Sequence, residues 1–120
     1  EGNEQAVRDA RRTLHDHPAA RLASGRVSAR SVRELAGSLA GGRPDVVVLD
    51  PPRQGAGREV IEAVGALGAE RIVLVACDPA ALARDLGTLL RSGYALGSMS
   101  ALDMFPHTHH FETIVVLERS

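Results

Sequence analysis

Two short apolar runs constrain this chain most. Asp45-Val-Val-Val-Leu49 and Arg71-Ile-Val-Leu-Val-Ala76 are continuous and rich in β-branched residues, the pattern of strands covered on both faces in a parallel sheet. The first stops at Pro51-Pro52. The second runs into Cys77-Asp78-Pro79, where Asp78 suits a helix cap and Pro79 the first helical position. Around these runs the apolar spacing becomes helical. Ala6, Val7, Ala10 and Leu14 predict a helix from about Asn3 to His15, and Leu35 and Leu39 predict a second, after a capping box of the form Ser31-x-x-Glu34 and ended by Gly41-Gly42. Glu59 to Leu67 reads as a third helix with Gly68 just past its end, and Leu82, Leu86, Leu89 and Leu90 mark a fourth, stopped by Gly93. Arg21 to Val27 reads as a further short strand, and Tyr94 to Ala101 and Thr113 to Glu118 as two final ones. Alternating strands and helices predict an α/β architecture with a mostly parallel sheet and right-handed crossovers. Ligands of such sheets sit outside the carboxyl ends of the strands. Asp50 and Cys77 each follow a buried run directly, so both are expected to face one crevice, with the loop from Asp103 to Glu112 able to fold over the same edge.

At 120 residues and 44% hydrophobic, the chain fits one domain with an ordinary core. No apolar run approaches the roughly 20 residues that cross a bilayer, and the polar start EGNEQAVRDARR lacks the apolar middle of a signal peptide. A cytoplasmic protein with no membrane partner is the simplest reading, and a single cysteine without a disulfide partner fits a reducing compartment. A net charge of -1 does not advertise a nucleic-acid binder, so any grip on RNA is expected to be local. All 14 positive residues are arginine, which biased genome composition explains as well as phosphate recognition does.

Three elements can carry chemistry. Cys77 is either a small buried hydrophobe or a reactive thiol, since the start of the following helix favours a thiolate while Asp78 opposes it. Asp50-Pro51-Pro52-Arg53 is either a strand terminator or a rigid turn that holds Asp50 and nearby carbonyls at the crevice edge. An aromatic residue after Asp-Pro-Pro would suggest amino-group methylation; Arg53 in that place argues for another target atom. Phe105-Pro106-His107-Thr108-His109-His110-Phe111-Glu112 invites a zinc site, but lacks a second ligand cluster. A loop packing aromatic and imidazole rings against a planar base, with Glu112 at the crevice, is the better reading.

Taken together, DPPR, VACDPAALARDL and DMFPHTHHFE resemble, in this order, the RNA uracil-5-methyltransferases, which form 5-methyluridine in transfer and ribosomal RNA. Ala76 stands where that family commonly has serine. The resemblance implies S-adenosylmethionine as cofactor and tRNA or rRNA as partner. It also implies Cys77 as nucleophile, Glu112 as proton acceptor, and Asp50 as a cofactor- and target-site residue, with Arg53 and His107 toward the substrate. Glu1 matches the acid that binds the cofactor ribose, on the strength of Glu-Gly-x-x-x-Ala-Val leading into the first helix. The implied chemistry is thiolate addition to carbon 6, attack of the resulting enolate on the methyl donor, and removal of the carbon 5 proton by Glu112. Partial burial among Phe105, Phe111 and the imidazoles is expected to raise the basicity of Glu112. The target uridine must be unstacked to reach the thiol.

The implied fold is a Rossmann-like class I methyltransferase fold in partial form. It has a mostly parallel sheet with a C-terminal antiparallel strand, and lacks the first two strands and the Gly-rich cofactor loop. Gly55-x-Gly57 lies in the wrong place for that loop and reads as a flexible turn. Residues 1–120 would then be the C-terminal portion of a catalytic domain. Alone, such a fragment is expected to be inactive, to bind cofactor weakly if at all, and to self-associate through the open edge of the strand ending at Asp50. Two other readings stay open: a thiol hydrolase or acyl transferase pairing Cys77 with His107 or His109, and a non-catalytic module that binds RNA or protein.

Overall fold

The computed structural model describes residues 1–103 and 111–120. Helix α1 (Glu4–Thr13) starts on Asn3, whose side-chain oxygen accepts the Ala6 N–H at 2.9 Å. Helix α2 (Ala29–Gly37) starts earlier than its expected box. Ser28 is the cap: its hydroxyl accepts the Ser31 N–H at 3.1 Å, and the Ser31 hydroxyl accepts the Ser28 N–H at 2.8 Å. Serine thus plays the reciprocal part that Glu34 was assigned, and Glu34 pairs instead with Arg30, one turn back, at 2.8 Å. The helix ends at Gly37, ahead of the Gly41-Gly42 pair, and the Ser38 hydroxyl donates to the Leu35 carbonyl at 2.6 Å.

Strand β1 (Val46–Leu49), helix α3 (Arg58–Ala66), strand β2 (Arg71–Ala76), helix α4 (Pro79–Arg91) and strands β3 (Tyr94–Leu102) and β4 (Glu112–Arg119) complete the order. They lie within a residue or two of the bounds read from caps and apolar runs. The Arg21 to Val27 segment forms no strand. No strand among the described residues lies beside it, and its Gly25 N–H bonds the Glu1 carbonyl at 2.9 Å instead of a ladder partner.

The sheet order is β1-β2-β4-β3. β1 and β2 are parallel, and β4 is antiparallel to both β2 and β3. Three strands therefore run one way and the last, inserted between β2 and β3, runs the other: the mostly parallel α/β sheet with one C-terminal antiparallel strand. Its core lies on one face only. Ile72 and Leu74 of β2 and Val115 and Leu117 of β4 meet Ile61 and Val64 of α3 and Leu89 of α4, and α2 packs against α3. Full burial of such side chains is worth about 1.5–3 kcal/mol each. Tyr94 closes the core at the far end, its hydroxyl donating to the Ala69 carbonyl at 2.8 Å. The expected two-sided burial of β1 is met on one side. Val47 and Leu49 pack on the core, whereas Val46 and Val48 remain 49% and 65% exposed because α3 and α4 both cover the opposite face. Among the described residues, no helix is long and apolar enough to cross a membrane.

Candidate functional site

The register of the sheet decides what meets at its edge. The β2–β4 ladder ends at the pair Ala76–Thr113, and Glu112 pairs on its other side with Leu102 of β3. One step beyond the last β2–β4 pair, on each strand, stand Cys77 and Glu112. The chain therefore brings Cys77 and Glu112 to neighbouring backbone positions just past the last ladder pair. On the other side of β2, the parallel pairing Leu49–Leu74 brings Asp50 to the same edge. Asp50, Cys77 and Glu112 thus stand at the ends of three adjacent strands. They share one edge because β4 runs backwards: its beginning lies where β1 and β2 end.

Local sequence explains each position. Cys77 sits on the bend between β2 and α4, half-buried and free of any disulfide. Asp78 caps α4, its carboxylate accepting the Ala81 N–H at 2.8 Å, and Pro79 occupies the first turn. Cys77 therefore lies just before the amino end of a 13-residue helix. Glu112 is half-buried at the start of β4. Asp50 is exposed, just past β1 and before Pro51-Pro52.

A cleft of about 710 Å³ opens beside β1, within the size range of small-molecule sites. Its walls are Glu1 and Gly2, the Gly25–Val27 segment, and the turn from Asp50 to Gly57. The Glu1 carboxylate accepts the Asn3 N–H at 2.7 Å, a bond that holds its pKa below the usual carboxylate value. Glu1 and Asp50 therefore share the cleft. Cys77 is not among its lining residues, so the expected single crevice for Asp50 and Cys77 is replaced by one shared sheet edge with the cleft at its β1 end. Arg53 is exposed on the turn after β1. His107 and the other two histidines of its segment lie outside the described residues, as does the zinc reading of that segment; no metal-holding cluster occurs among the described residues.

Some residues of this region escaped the sequence. Gly25, Arg26 and Val27 line the cleft although their segment was read as a strand. Asp85 and Arg84 of α4 hydrogen-bond to Ala56 and Gln54 in the turn that contains Gly55-x-Gly57. A carboxylate within the helical stripe Leu82, Leu86, Leu89 was the one available signal.

The family model described as tRNA (Uracil-5-)-methyltransferase matches residues 21–120. An uncharacterized RNA methyltransferase of Streptomyces avermitilis is 44% identical over 118 residues, covering 98% of this chain and 26% of that protein. The 23S rRNA (uracil(1939)-C(5))-methyltransferase of Vibrio parahaemolyticus is 53% identical over 76 residues, covering 63% of this chain and 17% of that one. Among solved structures, the Pyrococcus abyssi tRNA (uracil-54, C5)-methyltransferase in complex with S-adenosyl-L-homocysteine superposes with a TM-score of 0.72 at 31% identity, covering 98% of this chain and 27% of that one. The chain spans about a quarter of the length of the two relatives that match it along nearly all its residues.

Proposed function

Since this chain belongs to the tRNA (uracil-5-)-methyltransferase family, we propose that the protein methylates carbon 5 of a uridine in tRNA or rRNA, with Cys77 as nucleophile and Glu112 as base. One observation supports this reading above the others: the ladder puts Cys77 and Glu112 on neighbouring positions past Ala76–Thr113, with Asp50 one strand away. A pyrimidine lying over that edge has a sulfur on one side and a carboxylate within reach of the other. The Cys77 thiolate adds to carbon 6 and pushes electrons into the ring, which makes carbon 5 nucleophilic. Once carbon 5 carries the methyl group, Glu112 takes the remaining proton there. The electron pair left behind expels the Cys77 sulfur and restores the aromatic base. Asp50 offers a hydrogen-bond acceptor at the junction of edge and cleft. Arg53 and His107 are assigned to the substrate, which is expected to be an unstacked nucleotide of the kind RNA loops present.

S-adenosylmethionine supplies a methyl group on a positively charged sulfur. The cleft residues fit it: the Glu1 carboxylate is an acceptor suited to paired hydroxyl donors, and the volume admits a nucleoside-sized ligand. Glu1 and Asp50 would hold it there. The reaction belongs in the cytoplasm, where these RNAs reside.

The test uses the intact protein and RNA containing the target uridine. Cys77→Ala abolishes turnover and the covalent protein–RNA adduct. Glu112→Gln lowers turnover by about 10²–10⁴-fold, the usual contribution of a general base, and lets the adduct accumulate. Normal methylation by Cys77→Ala would end the assignment of the nucleophile, and absence of adduct in Glu112→Gln would end that of the base.

A further inference from the structure

The turn that follows β1 is gripped by the helix that follows Cys77. Asp85 of α4 falls among Leu82, Leu86 and Leu89 on the helix face turned toward the core, and it is only 6% exposed. Its Oδ2 accepts the Ala56 N–H at 2.9 Å. A Cβ at Gly55 would stand 2.7 Å from the same oxygen, so the carboxylate fits against the backbone only because residue 55 has no side chain. Gly55 itself adopts a φ of +83° and donates its N–H to the Pro52 carbonyl at 2.8 Å. Next to Asp85, the Arg84 guanidinium donates to the Gln54 carbonyl at 3.3 Å. Two consecutive helix residues thus hold two residues of the turn, a carboxylate on an amide and a guanidinium on a carbonyl. A buried carboxylate is unfavourable where a leucine would pack, so its presence needs a partner, and the turn supplies one.

We propose that Asp85, assisted by Arg84, is a positioning residue. It fixes the Asp50–Gly57 turn to the helix that starts beside Cys77, so that the cleft wall and the thiol are held in one frame. The clamp itself stands independently of the proposed reaction; its effect on cofactor binding rests on that reading.

Three measurements on the intact protein test it: amide hydrogen exchange, calorimetric binding of S-adenosylmethionine, and steady-state methylation. Loss of one hydrogen bond to a buried group predicts for Asp85→Ala a rise of about tenfold in Ala56 amide exchange with β2 and β4 amides unchanged. The dissociation constant and KM for S-adenosylmethionine rise by a similar factor of about ten, while kcat changes less than about threefold. Asp85→Asn, which keeps an acceptor oxygen, restores all three to within about threefold of the parent. Should Asp85→Ala fail to fold, Arg84→Ala, at an exposed position, gives the same pattern at about threefold. Unchanged Ala56 exchange, or exchange rising equally throughout the sheet, overturns the clamp. A loosened turn with unchanged cofactor affinity overturns its link to the cleft. A parent protein that binds S-adenosylmethionine without methylating uridine sinks the proposed reaction alone, because the exchange and binding results still decide the clamp.

Discussion

Gly55 has room for a hydrogen and nothing larger. Alanine there meets two penalties, a φ of +83° and a Cβ 2.7 Å from the Asp85 carboxylate. Left-handed backbone disfavours side chains by about 1–2 kcal/mol and overpacking adds about 1–3, so Gly55→Ala should destabilise the fold by about 2 kcal/mol or more. Denaturant unfolding checks this, and a variant as stable as the parent refutes it. The same residue shows where sequence reading stops. Asp50 and Cys77 were legible as candidates because each sits where a strand meets a breaker or a cap, and Glu112 because it stands where the last strand begins. Glu1 was legible through its pattern ahead of α1, and it does share the cleft with Asp50. Asp85 carried one signal, its place within the leucine stripe of α4, but nothing in the sequence names the turn that partners it. The glycines of the turn, for the same reason, looked flexible.

Caps decided most element boundaries. Asp78 and Pro79 begin α4, and Gly93, with a φ of +92°, lies just past its end. Asp78→Ala should lower stability by about 1 kcal/mol through loss of the Ala81 bond, measured by thermal unfolding; a loss below about 0.3 kcal/mol would show that the cap is not needed. At the opposite end of the sheet, burial pushes the Tyr94 phenol above its usual pKa, against the opposing charges of Arg119 and Arg43. The phenol therefore ionises more readily in the unfolded chain than in the fold. Its contribution is fully present below about pH 10 and is lost as pH rises through the folded value. Urea unfolding at pH 9 and pH 11 should show a stability drop that Tyr94→Phe abolishes; an equal drop in the variant assigns it to other groups. Boundaries failed where local pattern and context disagree. Ser28 and Ser31 compete for the cap of α2 within one turn, and Arg21 to Val27 has strand-like residues without a strand to pair with.

Coverage of a sheet is a property of the whole molecule, which is why β1 misled. Val46-Val47-Val48 reads as buried on both faces, yet Val46 and Val48 lie on the face that α3 and α4 do not cover. β1 is also an edge strand among the described residues. An exposed apolar edge favours pairing between copies, so the 120-residue chain should self-associate. Val48→Lys should reduce that association while changing stability by less than about 0.5 kcal/mol. Sedimentation across a concentration series decides; a chain that stays monomeric at every concentration refutes it. The placement of β4 carries a further consequence, for synthesis. It is central in space yet follows both of its neighbours in the chain. At about 5–20 residues per second, β2 is synthesised some seconds before β4, the strand that belongs beside it. Until β4 has been made, no strand can bridge β2 and β3, and the proposed thiol has no acid opposite. The proposed pair can therefore form only after every other described strand of the sheet has been synthesised.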